Sequence, residues 1–285
     1  MSTTTGTTSP GLVPRPTGYM SAGTLAEPRL ELRHVALSMV TGVNSGSPQP
    51  VLADISLTVR AGEFVAVVGP SGCGKSTLLS VIAGLLSPDS GQVAIDGDSS
   101  APRLGRVALM HQRDLLLPWR TVRENSRLGL ELLRPPGANA DGQLSALATR
   151  FGLSDILEVY PDRLSGGMRQ RVALLRTVLP DRPVLLLDEP FGALDAITRA
   201  GLQEWLEGVL DRTDKAVVLV THDVDEALLL ADRVYVMSGP PGRFGAVLES
   251  QLPRPRLRNL VTTTQFTTLK QQLLDALASA MQVGR

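Results

Sequence analysis

The chain has 285 residues, and 43% of them are hydrophobic, which suffices for one large domain or for a domain with a subdomain. Its 28 basic and 28 acidic residues give a formal net charge of zero, which argues against a nucleic-acid binder built on a dominant basic surface. The single cysteine excludes an internal disulfide framework, and no apolar run approaches the roughly 18 residues of a membrane span, so we expect a reducing, cytoplasmic setting.

The chain begins with a polar tail, which strand patterns follow. Residues 1–28 are rich in Ser, Thr, Gly and Pro and lack the charged and apolar regions of a signal peptide, which predicts a disordered tail. Apolar and polar residues alternate in LELRHVALSM, from Leu30, and again in VLADISLTV, residues 51–59, with a turn-rich loop between them. These two segments predict an N-terminal β region, which we expect to be antiparallel.

A phosphate-binding pattern follows the next strand signal. FVAVV, residues 64–68, is typical of a short buried strand, and it leads into GPSGCGKST, which has the G-x-x-x-x-G-K-[ST] spacing of a P-loop. The following segment, STLLSVIAGLL, predicts a helix over residues 76–86, whose N-terminus would favour phosphate. A Rossmann dinucleotide site is disfavoured, because neither the spacing nor the lysine suits it. The predicted nucleotide-binding residues of this loop are Gly69, Pro70, Ser71, Gly72, Cys73, Gly74, Lys75, Ser76 and Thr77.

The rest of the chain alternates between strand and helix patterns, which implies an α/β fold with a mostly parallel sheet. Residues 121–164 carry a helical pattern with one interruption at 134–142, and they predict a helical subdomain at about 113–165. The C-terminal extension, residues 251–285, predicts an amphipathic helix over residues 265–281, which we expect to pack on its own domain rather than on a partner. The further strand patterns lie at residues 91–97, 106–112, 183–190, 215–223 and 232–243.

Two adjacent carboxylates follow the apolar strand in VLLLDEP. Asp188 is expected at the carboxyl end of the sheet beside the P-loop, where an aspartate and the Ser76 hydroxyl can hold Mg²⁺. Glu189 can polarise a water molecule for attack on the γ-phosphate. Successive residues of a strand point to opposite sides, so the two carboxylates cannot share one role. A solvated strand end would explain the pair alone, but the P-loop upstream favours a catalytic site.

Two more polar side chains end apolar strands. Gln112 follows RVALMH, and its neutral amide can contact Mg²⁺ or water and sense the γ-phosphate. His222 follows AVVLVT, where it could contact a γ-phosphate oxygen. Taken alone, each residue would more often be a surface or capping residue, so both assignments depend on the nucleotide site predicted nearby.

A second glycine pair, in LSGGMRQR at residues 164–171, has the form of another small anion cradle. The order and spacing of the P-loop, Gln112, LSGGMRQR, VLLLDEP, the tripeptide ALD ending at Asp195, and His222 resemble the ATP-binding cassette (ABC) family. The resemblance covers about residues 29–250. It implies that these motifs are the Walker A, Q-loop, signature, Walker B, D-loop and H-loop, and that the cofactors are ATP and Mg²⁺.

The resemblance also implies why one chain has two glycine-rich loops. Cassettes of this family dimerise head to tail, and the signature of one copy closes on the γ-phosphate held by the P-loop of the other. The chain therefore implies a second copy of itself as a partner. The residues implied to contact the partner's ATP are Leu164, Ser165, Gly166, Gly167 and Met168.

Two positions depart from the family or vary within it. Family members usually stack an aromatic residue on adenine, whereas alignment of HVALSM leaves Met39 there, whose thioether can pack on a base. Another residue of the loop at 39–50 could replace it. Cys73 fills a variable P-loop position, where a helix N-terminus is expected to lower the thiol pKa, and we expect its alkylation to block ATP binding.

The segment after Gln112 suggests what the ATPase drives. In import-type cassettes this region receives a coupling helix of a membrane permease, and the apolar segment Leu115–Trp119 would form that surface, although Trp119 could instead pack in the core. Two short stretches, VMSGPPGR at residues 236–243 and QLPRPR at residues 251–256, resemble the importers of nitrate, sulfonate and taurine. The resemblance implies a peripheral protein on the cytoplasmic side of the membrane, whose permease works with a separate substrate-binding protein, and it implies no nucleic-acid partner.

Three alternatives remain. An ABC ATPase of DNA repair or chromosome structure needs a long coiled-coil insert, for which the roughly ninety residues between P-loop and signature leave no room. A translation-type or regulatory ABC protein usually has two cassettes in one chain. A P-loop kinase outside the family would leave LSGGMRQR unexplained.

Overall fold

The structure is a computed structural model, and it describes residues 28–40, 46–132, 140–210, 214–256 and 258–283. The predicted disordered tail therefore lies, except for Pro28, outside the described residues. The strands in the described ranges are β1 (Leu30–Met39), β2 (Gln49–Val59), β3 (Phe64–Val68), β4 (Ser90–Ile95), β5 (Val107–Met110), β6 (Val184–Asp188), β7 (Ala216–Val220), β8 (Arg233–Ser238) and β9 (Arg243–Glu249). The helices are α1 (Lys75–Ala83), α2 (Val122–Glu131), α3 (Ala140–Arg150), α4 (Gly166–Val178), α5 (Ala196–Leu210), α6 (Val224–Leu230) and α7 (Thr264–Val283).

The strands form two sheets, as the sequence predicts. β2, β1 and β4 make an antiparallel sheet in that order. The larger sheet has the order β5-β6-β7-β3-β8-β9, and all its neighbours are parallel except β8 and β9. The fold is thus α/β with a mostly parallel sheet and an N-terminal antiparallel sheet.

Strand β3 explains why the buried strands are continuously apolar. Phe64, Ala66 and Val68 belong to the hydrophobic cluster on one side of the large sheet, and Val65 and Val67 belong to the cluster on the other side. A strand covered on both faces needs apolar side chains at every position. Because β3, β5, β6 and β7 run parallel, their carboxyl ends lie at the same edge of the sheet, and the predicted site residues lie at this edge.

Helix boundaries follow local chemistry. α1 ends at Ala83, earlier than the predicted residue 86, because Gly84 adopts φ 79° and its N–H bonds to the carbonyls of Ser80 and Val81. α2 begins with a capping box, in which the Thr121 hydroxyl accepts from the Glu124 N–H and the Glu124 carboxylate accepts from the Thr121 N–H. The predicted helical subdomain contains α2, α3 and two short 3₁₀ helices.

The C-terminal extension packs on the rest of the described chain. Phe266 and Leu273 of α7 are fully buried and belong to the same hydrophobic cluster as the large sheet, which confirms that this helix packs on its own domain. Before it, the Arg254 guanidinium donates to Asp232 Oδ1 at 2.9 Å and the buried Arg256 guanidinium donates to the same atom at 3.2 Å. The other Asp232 oxygen accepts from the Phe64 N–H at the start of β3, at 3.0 Å.

Candidate functional site

The P-loop connects β3 to α1 through glycines in unusual conformations. Gly72 and Gly74 adopt φ of 79° and 104°, which other residues rarely adopt. A side chain at Gly72 would meet nothing within 4 Å, so its backbone conformation alone requires glycine. A Cβ at Gly74 would also approach Leu52 Cδ2 to 2.9 Å. The loop therefore has the compact backbone that a phosphate cradle needs.

Gly69 has a different role within the loop. A Cβ there would lie 2.3 Å from the backbone oxygen of Met237, at the end of the neighbouring strand β8. The first glycine of the motif is thus required for the close approach of two backbones.

Lys75 begins α1 and is buried. Its Nζ donates to the carbonyl oxygens of Gly69 and Pro70, each at 2.8 Å. The ammonium therefore lies inside the curve of the loop, where it can bind a phosphate oxygen. Pro70, Ser71 and Thr77 belong to the same segment, and their predicted contacts with nucleotide stay predictions.

Cys73 is buried, and its environment differs from the expectation. Burial raises the pKa of the thiol, while the nearby charge of Lys75 lowers it only in part. The expectation that the helix N-terminus lowers this pKa is wrong, because desolvation of the thiolate outweighs the favourable charges. Cys73 is 1% exposed, so alkylation of its thiol would require the loop to open.

Asp188 ends β6 and lies beside the P-loop. Burial raises the pKa of its carboxyl, and a hydrogen bond with the Ser76 side chain partly opposes that shift. A carboxylate and a hydroxyl side by side form a donor set that suits Mg²⁺, and a bound cation would compensate the buried charge. The residues present therefore fit the predicted metal.

Gln112 and His222 converge on Glu189. The Gln112 Nε2 donates to Glu189 Oε2 at 2.9 Å, and the His222 Nδ1 lies 3.3 Å from Glu189 Oε1. The Glu189 backbone adopts φ 48°, a strained conformation for a residue with a side chain, which turns it away from the path of β6. The structure thus brings together three predicted site residues from the ends of three strands, and their predicted roles toward the nucleotide stay predictions.

The glycine pair of the signature lies on the surface at the start of α4. Ser165 caps the helix, its hydroxyl accepting from the Met168 N–H at 3.2 Å, while Leu164 is buried. A Cβ at Gly166 or Gly167 would have no neighbour closer than 3.5 Å, and neither residue has a positive φ. The chain itself therefore does not require glycine at these positions, which favours close approach of a group from outside it.

Two other predicted residues lie at the ends of elements. The Asp195 carboxylate accepts from the N–H groups of Ile197 and Thr198 at the start of α5, and the bonds to Thr198 lower its pKa. Met39 ends β1 and packs against the hydrophobic cluster on that side of the sheet. Its predicted contact with adenine stays a prediction, and residues 41–45 of the alternative loop lie outside the described residues.

The segment Leu115–Trp119 is a surface feature. Trp119 is 70% exposed and Leu115 is 48% exposed, which excludes core packing of Trp119. Two arginines of α4 hold the start of the segment. The Arg176 guanidinium donates to the backbone oxygens of Asp114 and Leu115. The Arg169 guanidinium donates to the Asp114 carboxylate at 3.1 Å and to the Leu164 backbone oxygen at 2.7 Å.

Sequence reasoning missed three residues that touch this site. Gln170 Nε2 donates to the Glu189 backbone oxygen at 3.3 Å, and its position inside LSGGMRQR was an available signal. Thr221 and Glu226 form a buried hydrogen bond next to His222. An acidic residue in the apolar segment VDEALLL was the available signal for Glu226.

Comparison with known proteins agrees with the geometry. Residues 52–192 match the ABC transporter family. The chain is 47% identical over 232 residues to the aliphatic sulfonates import ATP-binding protein SsuB 1 of Rhodococcus jostii, covering 81% of this chain and 88% of that protein. It is 41% identical over 245 residues to the nitrate import ATP-binding protein NrtC of Synechococcus elongatus, covering 84% of this chain but only 37% of that longer protein.

A solved structure also resembles the chain. The dimeric post-hydrolysis state of the ATP-binding cassette MJ0796, bound to ADP and Pi, has a TM-score of 0.71 and 27% identity, covering 79% of this chain and all of that one. None of the helices in the described ranges is long and apolar enough to cross a membrane.

Proposed function

Because the chain belongs to the ABC transporter family, we propose that it is the ATP-hydrolysing subunit of an importer for a small anion. The observation that carries the proposal is the convergence of Gln112 and His222 on Glu189, one residue after Asp188 and beside the P-loop. The relatives named above as import proteins for nitrate and aliphatic sulfonates support the anion, and taurine belongs to the same chemical class.

The side chains divide the chemistry. The Lys75 ammonium and the N–H groups at the start of α1 bind phosphate oxygens. When phosphate binds, the ammonium gives up its hydrogen bonds to the loop carbonyls and bonds to a phosphate oxygen instead. Glu189 accepts the proton of the attacking water. Gln112 and His222 orient the Glu189 carboxylate, Gln112 by a hydrogen bond to one oxygen and His222 from beside the other. The exposed face of His222 is available to a γ-phosphate oxygen, since the side chain is 69% exposed.

Mg²⁺ is the metal ion that these residues would hold beside the phosphates. Ser76, Asp188 and Gln112 would hold Mg²⁺, which when bound neutralises charge on the phosphate oxygens. The Asp188 carboxyl is buried and bonded to the Ser76 side chain, and a cation there would favour its ionised form against the burial that raises its pKa.

A second copy completes the hydrolytic site. Ser165, Gly166 and Gly167 are far along the chain from the P-loop, and their open surroundings leave room for a phosphate bound by a partner. The dimeric assembly of the MJ0796 cassette supports a homodimer in which each signature serves the other copy's P-loop.

Leu115–Trp119 is the proposed docking surface for the permease, on the cytoplasmic side of the membrane. Trp119 at 70% and Leu115 at 48% exposure support it, because two large apolar side chains on one short surface segment form an apolar patch that a partner can cover. Arg169 and Arg176 connect this segment to α4, so that movement of the docked permease reaches the signature. The substrate-binding protein would act on the permease rather than on this chain.

The test uses the Glu189→Gln variant. Gln keeps the size and the bond to Gln112 but cannot accept a proton, so we expect ATP hydrolysis to fall by at least about a hundredfold while an ATP-bound dimer accumulates. Tagged variant protein, purified with ATP from detergent-solubilised membranes of its host, should carry a multi-span permease that mass spectrometry identifies.

The matched control is Glu204→Gln, an exposed glutamate on α5 that should hydrolyse ATP normally. Normal turnover by Glu189→Gln would remove this residue from the proton-accepting role. Recovery of soluble partners alone, such as repair or ribosomal proteins, would overturn the importer assignment and leave the ATPase chemistry intact.

A further inference from the structure

A small cavity of about 50 Å³ lies directly behind the Glu189–His222 pair. It has room for one or two water molecules. Its walls come from the ends of β6 and β7 and from α5 and α6. The lining residues are Glu189, Phe191, Gly192, Arg199, Thr221, His222, Asp223 and Glu226.

Glu226 is the deepest charged group of this cavity. It is 5% exposed, and its Oε2 accepts a hydrogen bond from the Thr221 hydroxyl, which in turn accepts from the Asp223 N–H at 3.1 Å. Its second oxygen, Oε1, is buried without a hydrogen-bond partner in the described part of the chain. A buried carboxylate oxygen without a partner is costly, and it calls for a water molecule or another donor.

A donor without a partner lines the same cavity. Arg199 Nε is buried and has no acceptor among the described residues, although the same guanidinium donates to the Leu194 oxygen at 3.1 Å. One water molecule placed in the cavity could accept from Arg199 and donate to Glu226 Oε1. The cavity meets the usual requirements for a buried water, namely sufficient volume and two or more polar partners.

The charges around Glu226 set its ionisation. Burial raises the pKa of the carboxyl to about 7, and the negative Asp223 adds to the increase. The hydrogen bond from Thr221 and the electrostatic effects of Arg199 and His222 lower the pKa and partly oppose this increase. From α7, the ammonium of Lys270 pairs with Asp225 on the outer side of α6. A carboxyl with this pKa exchanges a proton near neutral pH, which is the range in which an acid–base group works best.

We propose that Glu226 is the proton acceptor behind Glu189, linked to it by water in this cavity. As the oxygen of the attacking water bonds to the γ-phosphorus, one of its O–H bonds breaks and that proton passes to Glu189. The ADP oxygen leaves with the electron pair of the P–O bond. A proton then passes from Glu189 through the cavity water to the ionised Glu226 Oε1, which restores the Glu189 carboxylate. No electron transfer is involved.

The inference rests on the proposed ATPase function and adds a residue to it. A purely structural role for Glu226 would be to hold Thr221, and through it the strand end that carries His222. Gln can perform that task, because its amide oxygen still accepts from the Thr221 hydroxyl. It cannot take up the proton, so the two roles are separable by one substitution.

The test is the pH dependence of ATP hydrolysis between about pH 5.5 and 9 by the full-length wild-type protein, Glu226→Gln and Glu226→Asp. In the wild type we expect kcat to fall as pH drops through about 7, where Glu226 becomes protonated and cannot accept. In Glu226→Gln we expect kcat at pH 8 to be at least about tenfold lower, KM for ATP unchanged and the decline near pH 7 absent. Glu226→Asp should recover part of the rate and the pH dependence.

Asp225→Asn is the matched control, since it removes a neighbouring carboxylate outside the cavity and should keep the wild-type profile. If Glu226→Gln retains the wild-type kcat, or loses rate while the decline near pH 7 persists, the inference is overturned. The proposed function fails separately, by absence of ATP hydrolysis in the wild type.

Discussion

At the scale of single residues, the buried carboxyl of Glu226 affects stability as well as chemistry. Its pKa is raised from 4.5 to about 7, so the folded protein binds this proton more tightly than the unfolded chain does. The stabilisation is therefore complete below the unfolded pKa of 4.5 and is lost as pH rises through 7. The shift corresponds to about 3 kcal/mol of unfolding free energy.

We predict that Glu226→Gln gains stability relative to the wild type as pH rises from 5 to 8, by about 2 to 3 kcal/mol, because an amide does not ionise. Urea denaturation of both proteins at several pH values measures the difference. Parallel pH profiles would mean that Glu226 is ionised in the folded protein at no cost, and the raised pKa would be wrong.

The sequence predicts those site residues whose position alone implies their role. Gln112, Asp188, Glu189 and His222 each follow an apolar strand, and parallel strands bring such residues to one edge. The one signal for Glu226, an acidic residue in an apolar segment, does not reveal its role, because its hydrogen bond with Thr221 and its cavity form only in the folded chain. The direction of the Cys73 pKa shift could not be predicted from the sequence either, because burial of the thiol outweighs the nearby positive charge of Lys75.

At the scale of elements, the contact between α2 and the end of α4 depends on Gly129. A Cβ at this position would lie 2.3 Å from Pro180 Cγ. We predict that Gly129→Ala lowers the free energy of unfolding by about 1 to 3 kcal/mol, because the helices must separate to admit a methyl group.

The matched control is Gly201→Ala on α5, where a Cβ would meet nothing within 4 Å. Alanine favours the helix there, so we expect a gain of up to about 1 kcal/mol. Urea denaturation of the two variants tests both signs, and a neutral or stabilising Gly129→Ala would contradict the close packing of α2 on Pro180.

The elements that the sequence predicts are those with strong burial patterns. Eight strands follow from apolar runs or clear alternation, whereas β9 was missed because it lies at the edge of the sheet and is only half buried. α4, α5 and α6 were not predicted either, since the predicted helical pattern ends at residue 164 and α4 begins at Gly166. α6 spans only Val224–Leu230, which is too short for a helical period to stand out from the apolar strand before it.

At the scale of the whole molecule, the proposed head-to-tail dimer makes two defective chains complementary. Ser165→Arg blocks the signature of one copy, and Lys75→Ala disables the P-loop of the other. A mixed dimer keeps one intact site, formed by the P-loop of the first variant and the signature of the second.

We predict that each variant alone is inactive and that an equal mixture recovers about a quarter of the wild-type ATPase rate, because half the dimers are mixed and each has one site. Steady-state hydrolysis of the mixture, with the wild type diluted fourfold as the reference, measures the recovery. A mixture no more active than its components would show that each signature serves its own P-loop.

The contacts of Asp232 couple the thermal unfolding of the C-terminal extension to that of the large sheet. Its carboxylate bonds to Arg254 and Arg256 on one oxygen and to the first N–H of β3 on the other. Release of the C-terminal extension would leave Asp232 and the buried Glu207 without their arginines, and unpaired buried charge costs about 3 to 5 kcal/mol. The extension and strand β3, which leads into the P-loop, therefore belong to one cooperative unit, and calorimetry should record their unfolding as a single transition.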